Sequence, residues 1–135
     1  MSAARASVAV LLCFLLLSIL AAAPAPKANP RAQLKTAIPE AIRLLEAREY
    51  TTFLKTFVAP DDLKKITKDE PLDELAMFFA EKKAPQLLKA LKSIEDAKPM
   101  FDDSGTKAMY QLGEEIAKKK TITWVKVDNY WYIRD

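Results

Sequence analysis

Histidine is absent from this chain, cysteine occurs once, and glycine occurs only twice in 135 residues. Without imidazole there is no serine–histidine–aspartate triad and no zinc site of the usual cysteine–histidine kind. A lone cysteine, Cys13, excludes an intramolecular disulfide framework. It also sits in a segment expected to be removed, so a thiol nucleophile is excluded from the working domain. Charge of one sign is scarce too: 21 basic residues face 18 acidic ones. So small an excess generates no strong long-range field, and with acids interspersed among the lysines no nucleic-acid partner is expected.

The one long hydrophobic run is near the start. Arg5 precedes Val8 to Leu20, interrupted only by Ser18, and Ala21-Ala22-Ala23 follows. That layout is a secretory signal peptide, since a spanning helix needs about 20 apolar residues. Residues 1–22 are therefore expected to be cleaved, after Ala21 or Ala22, and the product exported to the periplasm or beyond. Were the segment retained, residues 8–23 would anchor the protein to a membrane. Cleavage would leave 113 residues with a net charge of +2, enough for one modest core. Residues 23–29, with two prolines, read as an extended linker, and residues 30–135 as a single domain.

Helical signals fill the first half. Asn29-Pro30 is a helix start, and Leu34, Ile38, Ile42 and Leu45 form an apolar stripe. Pro39 interrupts that stripe, which predicts a helix beginning near Thr36 with Pro39 in its first turn. Tyr50 to Val58 forms a second short helix, and Pro60-Asp61-Asp62-Leu63 opens a third with acids at its positive end. Asp69-Glu70-Pro71 opens a longer one carrying Leu72, Leu75, Ala76 and Phe79. Pro85 begins the last, with Leu87, Leu88, Leu91 and Ile94. In the longer helix Phe78 lies about 100° from the stripe. It is expected beneath a neighbouring helix, with an exposed contact surface as the alternative.

The second half changes period. Asp102-Asp103-Ser104-Gly105 is a turn; it lacks the alternating acids and distal glutamate of a calcium loop. Lys107 to Leu112 reads as a strand, and Lys118-Lys119-Lys120 as a solvated loop. Thr121 to Val127 and Tyr130 to Arg134 are strands joined by Asp128-Asn129, a two-residue hairpin turn. Helices first and an antiparallel sheet second make the fold class α+β. If the turn forms, Ile122, Trp124, Trp131 and Ile133 share one face, and Val125, Val127, Tyr130 and Tyr132 the other. Both faces are largely apolar, whereas a sheet with one wet face alternates. Helices can cover only one. The other must line a cavity, meet another chain, or be wrapped by a neighbouring segment.

The run Val125-Lys126-Val127-Asp128-Asn129-Tyr130-Trp131-Tyr132-Ile133, after a helical half containing Glu49-Tyr50, resembles the NTF2-like (cystatin-like α+β) superfamily. Within it the chain is similar to small exported bacterial members of unknown function. The resemblance implies N-terminal helices packed on a curved antiparallel sheet of about three or four strands. It departs in having Asn129 where glycine is usual. Some members are enzymes that pair a carboxylate base with a hydrogen-bond-donating tyrosine, so the resemblance alone assigns no activity.

Carboxylates occur here as adjacent pairs, Asp61-Asp62, Asp69-Glu70, Asp73-Glu74, Asp102-Asp103 and Glu114-Glu115. Sequence neighbours point apart on a helix or strand, so none forms a catalytic dyad. No catalytic residue, metal ligand or cofactor is expected. The favoured function is protein–protein contact, or self-association as a homodimer, through Val125, Val127, Tyr130 and Tyr132. The alternative is a small apolar ligand, or a rudimentary enzyme site, in a pocket between helices and sheet, with Trp124, Trp131, Ile133 and Tyr110 as its candidate lining or as core.

Overall fold

Asn29 and Pro30 do start regular structure, but only one turn of it. In the computed structural model, which describes residues 28–134, Asn29 Oδ1 accepts a hydrogen bond from Arg31 N at 3.0 Å, and Pro30–Ala32 is a 3-10 turn. The expected signal peptide and residues 23–27 of the linker lie outside the described residues. Helix α1 follows as Leu34–Glu46. It begins two residues before Thr36, so Pro39 is inside the helix rather than in its first turn. The cause is local. The Gln33 carbonyl accepts from both Thr36 N and Ala37 N, and the Thr36 hydroxyl donates to Pro30 O and Gln33 O. These bonds fix an earlier first turn. The donor that Pro39 lacks would have served Lys35, an exposed position where water can substitute.

Helix α1 ends in a Schellman arrangement. Glu49 N donates to Leu44 O, Arg48 N donates to Leu45 O, and Arg48 takes the left-handed conformation with φ 59°. Four further helices follow as expected from the proline and acid signals: α2 Tyr50–Phe57, α3 Pro60–Thr67, α4 Leu72–Lys82 and α5 Ala84–Ile94. Asp61, Asp62, Asp73 and Glu74 occupy first turns, where the helix dipole favours them.

The sheet contains β1 Met100–Phe101, β2 Lys107–Ile116, β3 Lys119–Val127 and β4 Tyr130–Arg134, antiparallel throughout and in sequential order. The architecture is thus α+β, with helices preceding an open four-stranded sheet. Asp128-Asn129 makes the expected tight turn, with φ of 50° and 71° and Val127 paired to Tyr130. The other hairpin corrects the sequence reading. Ala117-Lys118 is also a two-residue turn, with φ of 54° and 65°, so Lys119 and Lys120 belong to β3 rather than to a loop. The turn sequence lacks asparagine and glycine. Pairing of Ile116 with Lys119 sets it instead, after an irregularity between Gln111 and Ile116 that includes Gly113.

Helix α5 lies against β2, α1 against α5, and α2 against α4. Between helices and sheet sit the largest fully buried side chains, Trp124, Phe57, Leu91 and Ile94. Phe57 meets Trp124 edge-on at 5.8 Å, and Phe53 stacks with Phe79 at 5.3 Å. Burying a side chain of this size contributes about 1.5–3 kcal/mol. Phe78 is not covered by a neighbouring helix. It is 55% exposed, and Met77 beside it is 69% exposed, because α4 is overlain only on its Leu72, Leu75, Ala76 and Phe79 side. After α2, Val58 forms an isolated parallel bridge to Ile133 in β4.

Candidate functional site

Strand register divides the C-terminal hairpin as the alternation predicts. Trp124 pairs with Ile133 and Ala108, and Lys126 with Trp131, on the helix side; Val125 pairs with Tyr132, and Val127 with Tyr130, on the outer side. Trp124, Trp131 and Tyr110 are buried in the main core, and Ile133 packs partly buried against it. Trp124 Nε1 is a buried donor without a partner, an arrangement that costs about 1–3 kcal/mol. Trp124 lines neither of the hollows described below.

The outer face is covered by the chain itself. Val125 and Tyr132 are buried with Ala59, and Val127 and Tyr130 pack around them half-buried. Arg31, carried on the 3-10 turn, lies 4.7 Å from the Tyr130 ring centre and 5.4 Å from that of Tyr132. Its Nη1 donates to the Tyr132 hydroxyl at 3.1 Å and to the Thr56 carbonyl at 3.2 Å. At the far end of the strand Arg134 pairs with Asp62 at 3.1 Å. Of the three ways to shield this face, wrapping by a neighbouring segment is the one that the structure contains. No periodic pattern announces it, because a single arginine on a 3-10 turn belongs to no stripe.

Among the described residues, two hollows between helices and sheet bear on a site. The first, about 290 Å³, is lined by Phe79 and Lys82 of α4, Leu87 and Ala90 of α5, and Leu112, Ile116 and Ile122 of the β2–β3 hairpin. Lys83, Gln86, Lys119 and Thr121 are the polar lining, with no carboxylate among the lining residues. None of the four residues proposed from sequence as pocket lining is here. The groove was missed because it depends on β2 running on to Ile116, beyond the expected end at Leu112.

The second hollow, about 310 Å³, brings Tyr110 together with Leu34, Ile38, Phe101, Glu95 and Asp96. Burial raises the Tyr110 phenol above its ordinary value, so it stays protonated. Glu95 and Asp96, however, are exposed to water. A tyrosine with two dissolved carboxylates at the rim is a dent in the surface rather than a desolvated acid–base pair. The displaced carboxyls are elsewhere, and all are displaced downward. Hydrogen bonding to Arg43 lowers Glu40, and hydrogen bonding to Lys89 lowers Glu114. At Asp102 partial desolvation pushes upward, but donors from Ser104, Lys107, Thr106 and Gly105 outweigh it and hold the carboxyl low. These donors fold the Asp102–Gly105 turn: Asp102 Oδ1 accepts from Thr106 N at 3.0 Å and Lys107 N at 3.1 Å. A general base poised near neutrality needs the opposite displacement.

Among the described residues no group of three or more acids could hold a metal ion, and no helix is long and apolar enough to cross a membrane. Compared with protein-family models, curated proteins and solved structures, the chain matches none.

Proposed function

We propose that the chain is an exported, non-catalytic binding domain that holds a small apolar ligand in the groove between α4, α5 and the β2–β3 hairpin. The supporting observation is the groove itself. Apolar side chains from two helices and two strands converge on about 290 Å³, near the lower end of the volumes that small-molecule sites use. Sites of this kind are apolar with a few polar groups at the edge, and Lys82, Lys83 and Thr121 supply them. Three features favour binding over catalysis: no carboxylate lines the groove, no histidine or exportable cysteine exists, and the displaced carboxyls are lowered. Helices followed by a sequentially ordered antiparallel sheet also support an NTF2-like origin. Export rests on the N-terminal run, and membrane anchoring through residues 8–23 is the alternative. N-terminal sequencing of the protein from the cell envelope distinguishes them.

A second reading is protein contact, or self-association as a homodimer, through Val125, Val127, Tyr130 and Tyr132. It is favoured by the thinness of the cover on that face, which amounts to Arg31 and the Ala59 segment. Partner binding there would have to displace or extend the arginine.

The test of the groove is competition for an environment-sensitive apolar dye. Replacing Thr121, half-buried at the groove wall, by Trp should abolish dye binding without lowering the melting temperature. Unchanged dye binding by a folded Thr121→Trp protein removes the groove as the site and leaves the outer face.

A further inference from the structure

We propose that the outward face of α4 is a docking surface for a basic amphipathic helix of another protein. The surface is separate from the groove, which Met77, Phe78 and the acids beside them do not line. On a helix that advances about 100° per residue, Leu72, Leu75, Ala76 and Phe79 fall on the side packed against the core. Met77 and Phe78 fall outside that stripe, both exposed, and neither belongs to a core cluster. Adjacent exposed Met and Phe therefore have no packing role within this chain.

The charge that frames the pair is mostly of one sign. Glu74 is one turn before both residues, Asp73 one turn before Met77, and Glu81 one turn after both; Lys82, after Phe78, is the exception. The three acids are exposed, and among the described residues no cation pairs with them. Local helix physics accounts for Asp73 and Glu74, in the first turn. It does not account for Glu81, which lies at the negative end of the same helix, where an acid is disfavoured. A merely solvated helix also gains from lysine four residues after an acid. After Asp73 and Glu74 those positions hold Met77 and Phe78.

Charge identifies the occupant. An anionic lipid surface is repelled by these acids, and a wholly apolar segment leaves them unanswered. A helix with a narrow apolar seam flanked by lysine or arginine satisfies both features. Its seam lies on Met77 and Phe78, and its cations reach Glu74 and Glu81, which are two turns, or about 10 Å, apart. A second copy offers only α3, where Lys64 and Lys65 flank a single exposed Ile66 and Asp61 and Asp62 oppose the acids of α4. Two apolar side chains bury much less than the roughly 800 Å² per partner of a standard interface, so the contact is transient and salt-sensitive.

The test uses three labelled helical peptides with one leucine seam, flanked by lysine, glutamine or glutamate, and follows anisotropy on adding purified protein. The lysine peptide should bind about tenfold more tightly than the glutamine peptide, and the glutamate peptide not measurably. In about 1 M salt, where the Debye length is about 3 Å, the first two should converge. Glu74→Lys/Glu81→Lys should reverse the order, so that the glutamate peptide binds best. Phe78→Ser should weaken the lysine peptide about tenfold with an unchanged melting temperature. Dye binding in the groove should persist in both variants, which shows that they are folded. Equal binding of the lysine peptide to wild type and either variant overturns the assignment of this face, and so does binding of no peptide to wild type. A dimer in sedimentation that Met77→Ser/Phe78→Ser dissolves makes a second copy the occupant and overturns the proposal. Retention of wild type, but not of that variant, on phosphatidylglycerol vesicles makes the face a membrane contact and overturns it likewise.

Discussion

Replacing Arg31 by Ala should cost this small domain more than any other exposed-side substitution. The guanidinium covers two tyrosine rings, at 4.7 and 5.4 Å, and each such contact is worth about 0.5–1 kcal/mol where water has partial access. It also donates to Thr56 O and the Tyr132 hydroxyl, at about 1 kcal/mol each. These terms share one group and cannot simply be added, and the released tyrosine hydroxyl can bond to water. A net loss of about 2 kcal/mol follows, which lowers the melting temperature of a domain this size by roughly 8–12 °C. Urea unfolding read from tryptophan fluorescence measures it directly, since Trp124 and Trp131 both report on the core. Arg31→Lys keeps the charge but loses the planar stack and the forked donors, so it should recover less than half. Uncovering Tyr130 and Tyr132 should also raise self-association in sedimentation runs. An Arg31→Ala protein within about 0.5 kcal/mol of wild type would show that the arginine decorates the outer face without holding it.

Three further outcomes follow from the same geometry. Arg48 and Lys118 hold left-handed backbone without glycine, with φ of 59° and 65°; Arg48→Gly and Lys118→Gly should each stabilise by about 1 kcal/mol, visible as higher melting temperatures. Phe57→Ala, at a site with no exposure, should cost about 3–5 kcal/mol and broaden or abolish the thermal transition. Finally, Asp102, Glu40 and Glu114 have carboxyls held below their ordinary values. A depressed folded-state value means that the stabilisation is complete above the unfolded value near pH 4 and is lost as pH falls through the folded one. Unfolding midpoints should therefore be level around neutrality and decline below about pH 4, with the decline shallower in Asp102→Asn.

Helix positions were legible from residues with a local physical meaning. Proline, acids at a first turn and apolar spacing marked every helix, and Asp128-Asn129 marked the last hairpin because asparagine accepts positive φ. The two boundary errors have different causes, strand pairing in one and a local hydrogen-bond network in the other. Ala117-Lys118 turns because β2 and β3 are in register around it, and α1 begins early because Pro30 and Gln33 supply acceptors to Thr36. The apolar excess of the final hairpin was readable, but its cover was not. Arg31 and Tyr132 are 101 residues apart, and nothing in either local sequence announces the other. The groove was hidden for the same reason, since its walls come from segments that look like ordinary core and ordinary solvated lysine.

The bridge from Val58 to Ile133 has a consequence for the molecule's neighbours. An open sheet offers two rims to which foreign strands can add, and a long bare rim invites polymer growth. Here one rim, β4, is already bridged at Ile133 by the segment that follows α2, which obstructs an incoming strand. The opposite rim is a two-residue β1, too brief to template much. A sheet bounded in this way offers little rim for strand addition between copies of the chain.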